Sequence, residues 1–170
     1  EEESYLKANN ISSRSKFLLK VYGLLLKEFG YQGWWPLVSL RHKKGFDAQG
    51  YHPGIYDYPK TKQQRLEIII GAILAQNTSW KNVEIVIYQL YIKKLFEKEH
   101  LKKISEEELA SLIHSAGYFR QKAKKIKIVI DFLDSGKEIN RDNLLQVWGI
   151  GRETADSILL YAYHQPYFIV

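Results

Sequence analysis

An all-α protein is expected from three features of the chain: apolar residues recur at three- and four-residue spacings, hydroxyl-bearing caps precede those runs, and no convincing two-residue alternation interrupts them. The first run, over about 14–29, sets Phe17, Leu18, Val21, Tyr22, Leu25 and Phe29 on one face, with Ser13 as cap and Gly30 and Gly33 beyond its end. Trp34-Trp35-Pro36 follows, and on residue type alone it reads as an aromatic anchor for a loop. Residues 41–60, with His42, Lys43, Lys44, His52, Pro53, Tyr56, Tyr58 and Pro59, have no hydrophobic period and read as loop. His42 and His52 lack carboxylates at ligand spacing, so no metal site is expected there.

Thr61-Lys62-Gln63-Gln64 is a capping-box signature opening a helix through Leu66, Ile69, Ile70, Ile73 and Leu74. That helix is apolar almost all round after Glu67, which predicts a central position. It ends in Ala75-Gln76-Asn77-Thr78, and Ser79 with Asn82 caps a successor running to about residue 96. The corner is tight and polar, so Gln76 is expected to project from a rigid base. Ser105-Glu106-Glu107-Glu108 opens a short helix that Gly117 breaks, and a further helix spans about 119–133. Lys122, Lys124, Lys125 and Lys127 make a basic face on it, read as solvated surface. Leu144-Leu145-Gln146-Val147-Trp148 is then an apolar stub, Gly149-Ile150-Gly151 a turn, and Arg152-Glu153-Thr154-Ala155-Asp156-Ser157-Ile158-Leu159-Leu160 a second helix. Two glycines allow positive φ and close backbone approach, and the helix start offers free N–H groups and a positive dipole end to a phosphate.

Composition narrows the function classes. Lys and Arg total 25 against 19 Asp and Glu, giving +6 and a pI near 9.3, which favours a polyanionic partner. The chain has no cysteine, which excludes disulfides, thiolate metal sites and cysteine nucleophiles within it. No apolar run reaches the ~18–20 residues that span a bilayer, so no membrane contact and a cytoplasmic location are expected. The chain opens on Glu1 and has no methionine, which suggests that an initiator has been removed.

The string Gly149-Ile150-Gly151-Arg152-Glu153-Thr154-Ala155-Asp156 resembles the helix-hairpin-helix of the endonuclease III superfamily of DNA glycosylases, with Val147-Trp148 in place of that family's Leu-Pro. Ile73-Leu74-Ala75-Gln76-Asn77-Thr78-Ser79 is similar to the family's helix pair whose Gln-x-Thr corner approaches the lesion. Gly117-Tyr118-Phe119-Arg120-Gln121-Lys122-Ala123 is similar to the opening of its next helix. The matches are collinear over about 60–170. Trp34-Trp35-Pro36 resembles most the branch that removes alkylated purines, the endonuclease III-related 3-methyladenine glycosylases.

The resemblance implies a helix-hairpin-helix glycosylase fold and a base pocket walled by Trp34, Trp35 and Pro36. It implies DNA contacts from Gln76, Asn77, Thr78, Lys122, Gly149, Ile150, Gly151, Arg152 and Thr154, with Gln76 or a neighbour filling the vacated stack. The implied partner is double-stranded DNA with a damaged base, and the full-length protein is expected to be a monomer. Bifunctional members carry lysine where Glu153 stands; a glutamate cannot form the Schiff base of strand cleavage, so a monofunctional enzyme is expected. The family's catalytic aspartate follows a short apolar segment, here Tyr167-Phe168-Ile169-Val170, and therefore falls just after Val170. Asp156, nearest in the hairpin unit, reads as structural. The chain is accordingly expected to be truncated at its C-terminus, with 61–170 a helical core domain and 1–60 the helix and loop of a second, incomplete one. The apolar face of the first helix should then lie partly uncovered. No cofactor is expected within the chain; an iron-sulfur cluster (4Fe-4S) would need a C-terminal tail outside it. Two other readings stand beside the alkylpurine glycosylase: a non-catalytic helix-hairpin-helix DNA-binding fragment, and a glycosylase/AP lyase of the endonuclease III type acting on damaged or mismatched pyrimidines.

Overall fold

A computed structural model describes residues 12–169, and the described residues hold helices and turns without a strand. Helix α1 spans Ser13–Phe29, α2 Lys62–Leu74, α3 Trp80–Ile92, α4 Lys98–Lys103, α5 Glu106–Leu112, α6 Phe119–Asp134, α7 Arg141–Leu145 and α8 Arg152–Ser157. Single 3₁₀ turns occupy Val38–Leu40 and His114–Ala116, and α8 runs on as a π turn over Ile158–Ala162.

The stretch of α2 that is apolar but for Glu67 makes it the centre. Every residue from Leu66 to Leu74 is buried, and α2 packs against α3, α6, α8 and the π turn. Each buried Leu or Ile contributes about 1.5–3 kcal/mol relative to exposure, so one face of polar residues here would leave no core. The capping box forms in full: Thr61 accepts from the Gln64 N–H at 3.2 Å, and Gln64 Oε1 accepts from the Thr61 N–H at 3.1 Å. Around α2, α6 packs on α5 and α4, while α3 packs on α5 and on the Val38–Leu40 turn.

Several boundaries differ from expectation. Ser12, not Ser13, caps α1, because its hydroxyl reaches the Ser15 N–H at 3.2 Å. Helix α3 stops at Ile92 rather than near residue 96, and α4 is a helix that periodicity does not reveal. It is six residues long, and a single buried Leu101 is too little for a pattern. Ser79 caps α3 without a side-chain bond to its backbone.

Helix α1 buries no residue, and Phe17, Leu18, Tyr22, Leu25 and Phe29 are each more than half exposed. The expected uncovered apolar face is therefore present. The loop after it behaves oppositely: Trp35, Leu37 and Val38 enter the same core as α2.

Candidate functional site

Three segments that sequence separates widely meet at one cleft of about 630 Å³: the loop at Trp34, the corner at Gln76 and Asn77, and the hairpin from Gly149 to Thr154. Tyr161 and Ile169 line it as well.

The aromatic wall is a cluster. Trp34 lies 5.0 Å from Trp35, 5.0 Å from Trp80 and 5.9 Å from Tyr51 between ring centroids. Trp80 meets Trp35 edge-on at 5.3 Å, and Tyr161 backs Trp35 at 5.5 Å. Trp34 is 37% exposed and Trp35 only 6%, so the open indole surface belongs to Trp34 and Trp35 supports it from behind. Pro36 corrects the expectation: it is buried and lines no part of the cleft, because the following Leu37 and Val38 draw the chain inward.

Contacts from three residues, His52, Gly71 and Glu67, fix the Trp35 segment. The His52 ring nitrogens face the carbonyls of Trp35 at 2.9 Å and Ile55 at 2.7 Å. The Trp35 indole rests on α2 at Gly71, where a Cβ would come within 3.1 Å of it. Further along, the buried Glu67 accepts the Ser39 N–H at 3.1 Å, and burial pushes its carboxyl up to about 7.

At the corner, Gln76 does not project freely. Its Nε2 donates to the Gly149 carbonyl at 3.1 Å and to Thr154 Oγ1 at 3.0 Å, while its Oε1 accepts from Lys125 Nζ at 2.5 Å. Gln76 is a brace between corner and hairpin. Asn77 is exposed at the tip of the corner, in left-handed backbone at φ 51°. Thr78 is half-buried, outside the cleft lining, and its hydroxyl accepts from Asn82 at 3.4 Å.

The basic face of α6 is only partly solvated: Lys124 is exposed, but Lys122 and Lys127 turn inward. Lys122 is 1% exposed and donates to the carbonyls of Leu74 at 2.8 Å and Ala116 at 2.7 Å, so it offers no ammonium to DNA. Lys127 donates to the carbonyls of Leu101, Lys102 and Ile104 at the end of α4. Both lysines satisfy carbonyls that a helix terminus leaves unpaired. Lys124 stands 5.0 Å over the exposed Trp148 ring.

In the hairpin only one glycine needs to be one. Gly149 has φ 85°, with the Lys125 stem against it; Gly151 has φ −89° and nothing within 4 Å of where a Cβ would stand. Gly151 therefore leaves open space rather than an unusual conformation. Ile150 is 5% exposed and its N–H bonds to the Val147 carbonyl, so neither its side chain nor its amide faces a ligand. Thr154 is 8% exposed, its hydroxyl held by Gln76. The exposed donors are the first-turn N–H groups of α8 and the Arg152 side chain. Glu153 is also exposed, and among the described residues it is the one carboxylate lining the cleft. Asp156, 7% exposed, is held by Arg141 through bonds of 2.7 and 3.1 Å, a fork that joins α7 to α8. Val170 and the position after it lie outside the described residues.

Trp80, Tyr161 and Lys125 join the site without having been singled out in the sequence. Trp80 carried a signal, as a large aromatic directly after the Gln76 corner; Lys125 was masked by its charged neighbours.

Residues 70–169 match the profile of the HhH-GPD superfamily of base excision DNA repair proteins. The chain belongs to this superfamily. Over 171 aligned residues this HhH-GPD chain is 34% identical to a Methanocaldococcus jannaschii protein provisionally named a DNA repair glycosylase, covering 93% of the chain and 66% of that protein. Among solved structures it is similar to H. pylori 3-methyladenine DNA glycosylase bound to 1,N6-ethenoadenine, with a TM-score of 0.60 and 26% identity over 66% of this chain and 58% of that one. It is also similar to a trapped endonuclease III–DNA covalent intermediate, with a TM-score of 0.53 and 26% identity over 59% of this chain and 48% of that one. The chain spans 66% of the length of the M. jannaschii protein and 48% or less of the other curated relatives it matches. The all-α HhH-GPD glycosylase fold expected from the sequence is the fold observed.

Proposed function

We propose that the protein carrying this chain is a monofunctional DNA N-glycosylase that removes alkylated purines, such as 3-methyladenine, from double-stranded DNA by base flipping. The observation that carries the reading is the open indole of Trp34 standing in one cleft with the α8 start and the Gln76–Asn77 corner. Excision of a base from a duplex requires strand phosphates held within a nucleotide's reach of a surface on which the extruded base can stack. The first-turn N–H groups of α8, with Arg152 beside them, suit the phosphate, and Trp34 suits the base. A cationic alkylated purine over an indole gains about 0.5–2 kcal/mol, which a neutral pyrimidine does not. The H. pylori relative, a 3-methyladenine glycosylase with a modified adenine bound, supports a purine substrate.

An alkylated purine is already a good leaving group, so the chemistry asks mainly for a carboxylate that stabilises the sugar cation or activates water. An aspartate following Val170 would supply it, and the place of Ile169 in the cleft lining supports that reading. Glu153, with no amine, leaves no nucleophile for strand cleavage at that position. Helix α1 would belong to a second helical domain, a reading that its uncovered face supports, whereas the loop at Trp35, Leu37 and Val38, expected to go with it, shares the core of α2.

The test is base release by the full-length protein from duplexes carrying 3-methyladenine, uracil or a T:G mismatch, with borohydride present in parallel. Free alkylpurine, an uncut abasic strand and no trapped adduct are expected. Release of pyrimidines with a borohydride-trapped complex would replace this reading by the endonuclease III type. Salt-sensitive DNA binding without any free base would leave a binding module.

A further inference from the structure

Trp148 stands in a turn that has no use for an indole. The Ile150 N–H donates to the Val147 carbonyl at 3.1 Å, which puts Trp148 second and Gly149, at φ 85°, third in a four-residue turn. Positive φ at the third place marks a type II turn, and the residue that best suits its second place is proline. The backbone N–H of Trp148 makes no hydrogen bond among the described residues, so a proline would sacrifice none there. The chain instead carries a tryptophan that is 51% exposed and lies outside the core and the residues packed against it. Neither turn nor core accounts for that indole.

The cation beside it is equally uncommitted. Of the four lysines on α6, Lys122, Lys125 and Lys127 spend their ammonium groups on acceptors within the protein. Lys124 is exposed, lies 5.0 Å over the Trp148 ring, and makes no hydrogen bond or ion pair among the described residues. The pair sits beside the cleft and not in it, since Gly149 lines the cleft while Trp148 and Lys124 do not. A base extruded into the cleft therefore stacks elsewhere. What reaches this pair is the strand that the hairpin holds.

We propose that Trp148 and Lys124 form a strand clamp beside the cleft, in which the indole packs against the deoxyribose of a DNA nucleotide and Lys124 donates to the phosphate of that nucleotide. A DNA strand sets an apolar sugar face next to an anion, and an indole with an ammonium over it is the matching pair. Such a contact carries no base identity, so it tightens binding to intact and damaged duplexes alike. The inference rests on the DNA-binding part of the glycosylase reading and not on which base is released.

The experiment measures the affinity of the full-length protein for one undamaged duplex between about 50 and 200 mM salt. Trp148→Ala removes the indole, and Trp148→Pro removes it while favouring the turn. Both should bind about fivefold or more weakly than the wild type, with the proline variant melting no lower than the wild type. Lys124→Ala should reduce the slope of log affinity against log salt by about one, the loss of one phosphate contact. The double variant Lys124→Ala, Trp148→Ala should lose less than the two single losses combined, since both groups hold one nucleotide. Affinity within about twofold of the wild type in both Trp148 variants overturns the inference, whether or not Trp148→Ala melts lower. An unchanged salt slope in Lys124→Ala overturns it as well. Arg152→Ala separates this inference from the reading beneath it: if that variant loses binding while the Trp148 variants keep it, the hairpin contact stands and the clamp fails. A wild-type protein that binds no duplex ends both.

Discussion

Lys122 donates from its Nζ to the carbonyl of Leu74 at 2.8 Å across 48 residues of sequence, and the residue is 1% exposed. The same ammonium bonds the Ala116 carbonyl at 2.7 Å, so one buried cation ties the end of α2 to the turn that precedes α6. Lys122→Met keeps the stem and removes the donors, leaving two carbonyls unpaired. Urea denaturation is expected to show a loss of about 2–4 kcal/mol. A loss below about 0.5 kcal/mol, as for a surface lysine, would contradict the buried role.

Glu67 gives the fold a pH dependence of definite sign. Its carboxyl titrates at the ordinary 4.5 when unfolded and at about 7 in the fold, where burial disfavours the charge. The folded state thus binds the proton more tightly, and stability falls as pH rises through that window. Once ionised, Glu67 costs on the order of 3 kcal/mol, from about 1.4 kcal/mol per pH unit. Glu67→Gln retains an acceptor for the Ser39 N–H without the charge. Thermal unfolding between about pH 5 and pH 8 should show a falling midpoint for the wild type and a flatter profile for the variant.

Gly71 sets how closely Trp35 approaches α2. A Cβ there meets the indole at 3.1 Å, and a valine would add two methyls at that contact. Gly71→Val is expected to cost about 1–3 kcal/mol through overpacking and to move the aromatic cluster. Near-ultraviolet circular dichroism reads the cluster directly; an unchanged indole signal in the folded variant would show that Gly71 does not set its position.

The two hairpin glycines should separate stability from binding. Gly149→Ala forces φ 85° on an L-residue and presses its methyl on the Lys125 stem, with an expected loss of about 1–2 kcal/mol. Gly151→Ala, at φ −89° in open space, should leave the melting temperature unchanged. It is nevertheless expected to weaken DNA binding several-fold, because the methyl occupies the approach of a phosphate to the α8 start. Equal DNA affinity in Gly151→Ala and wild type would remove Gly151 from the interface.

Much of the architecture was legible in the chain because its signals are local. The capping box at Thr61, the apolar girth of α2 and the break at Gly117 each act within a turn or two, and each is found where the pattern put it. The uncovered face of α1 was equally legible, since amphipathic spacing states which side needs cover. Helix α4 was not, because six residues with one buried leucine carry no period.

Side-chain partners are a different matter. A lysine among lysines reads as surface, yet Lys122 and Lys127 are each spent on carbonyls of another helix end. Gln76 in a polar corner reads as a free probe, yet Gly149, Thr154 and Lys125 consume it from more than forty residues away. Residue type and spacing therefore determined most of the helices, the hairpin and the family to which the chain belongs. Only the tertiary structure decided which polar groups remain free to meet a ligand. The reason is physical: a buried donor or acceptor must find a partner wherever the fold brings one, and local sequence carries no record of partners that distant.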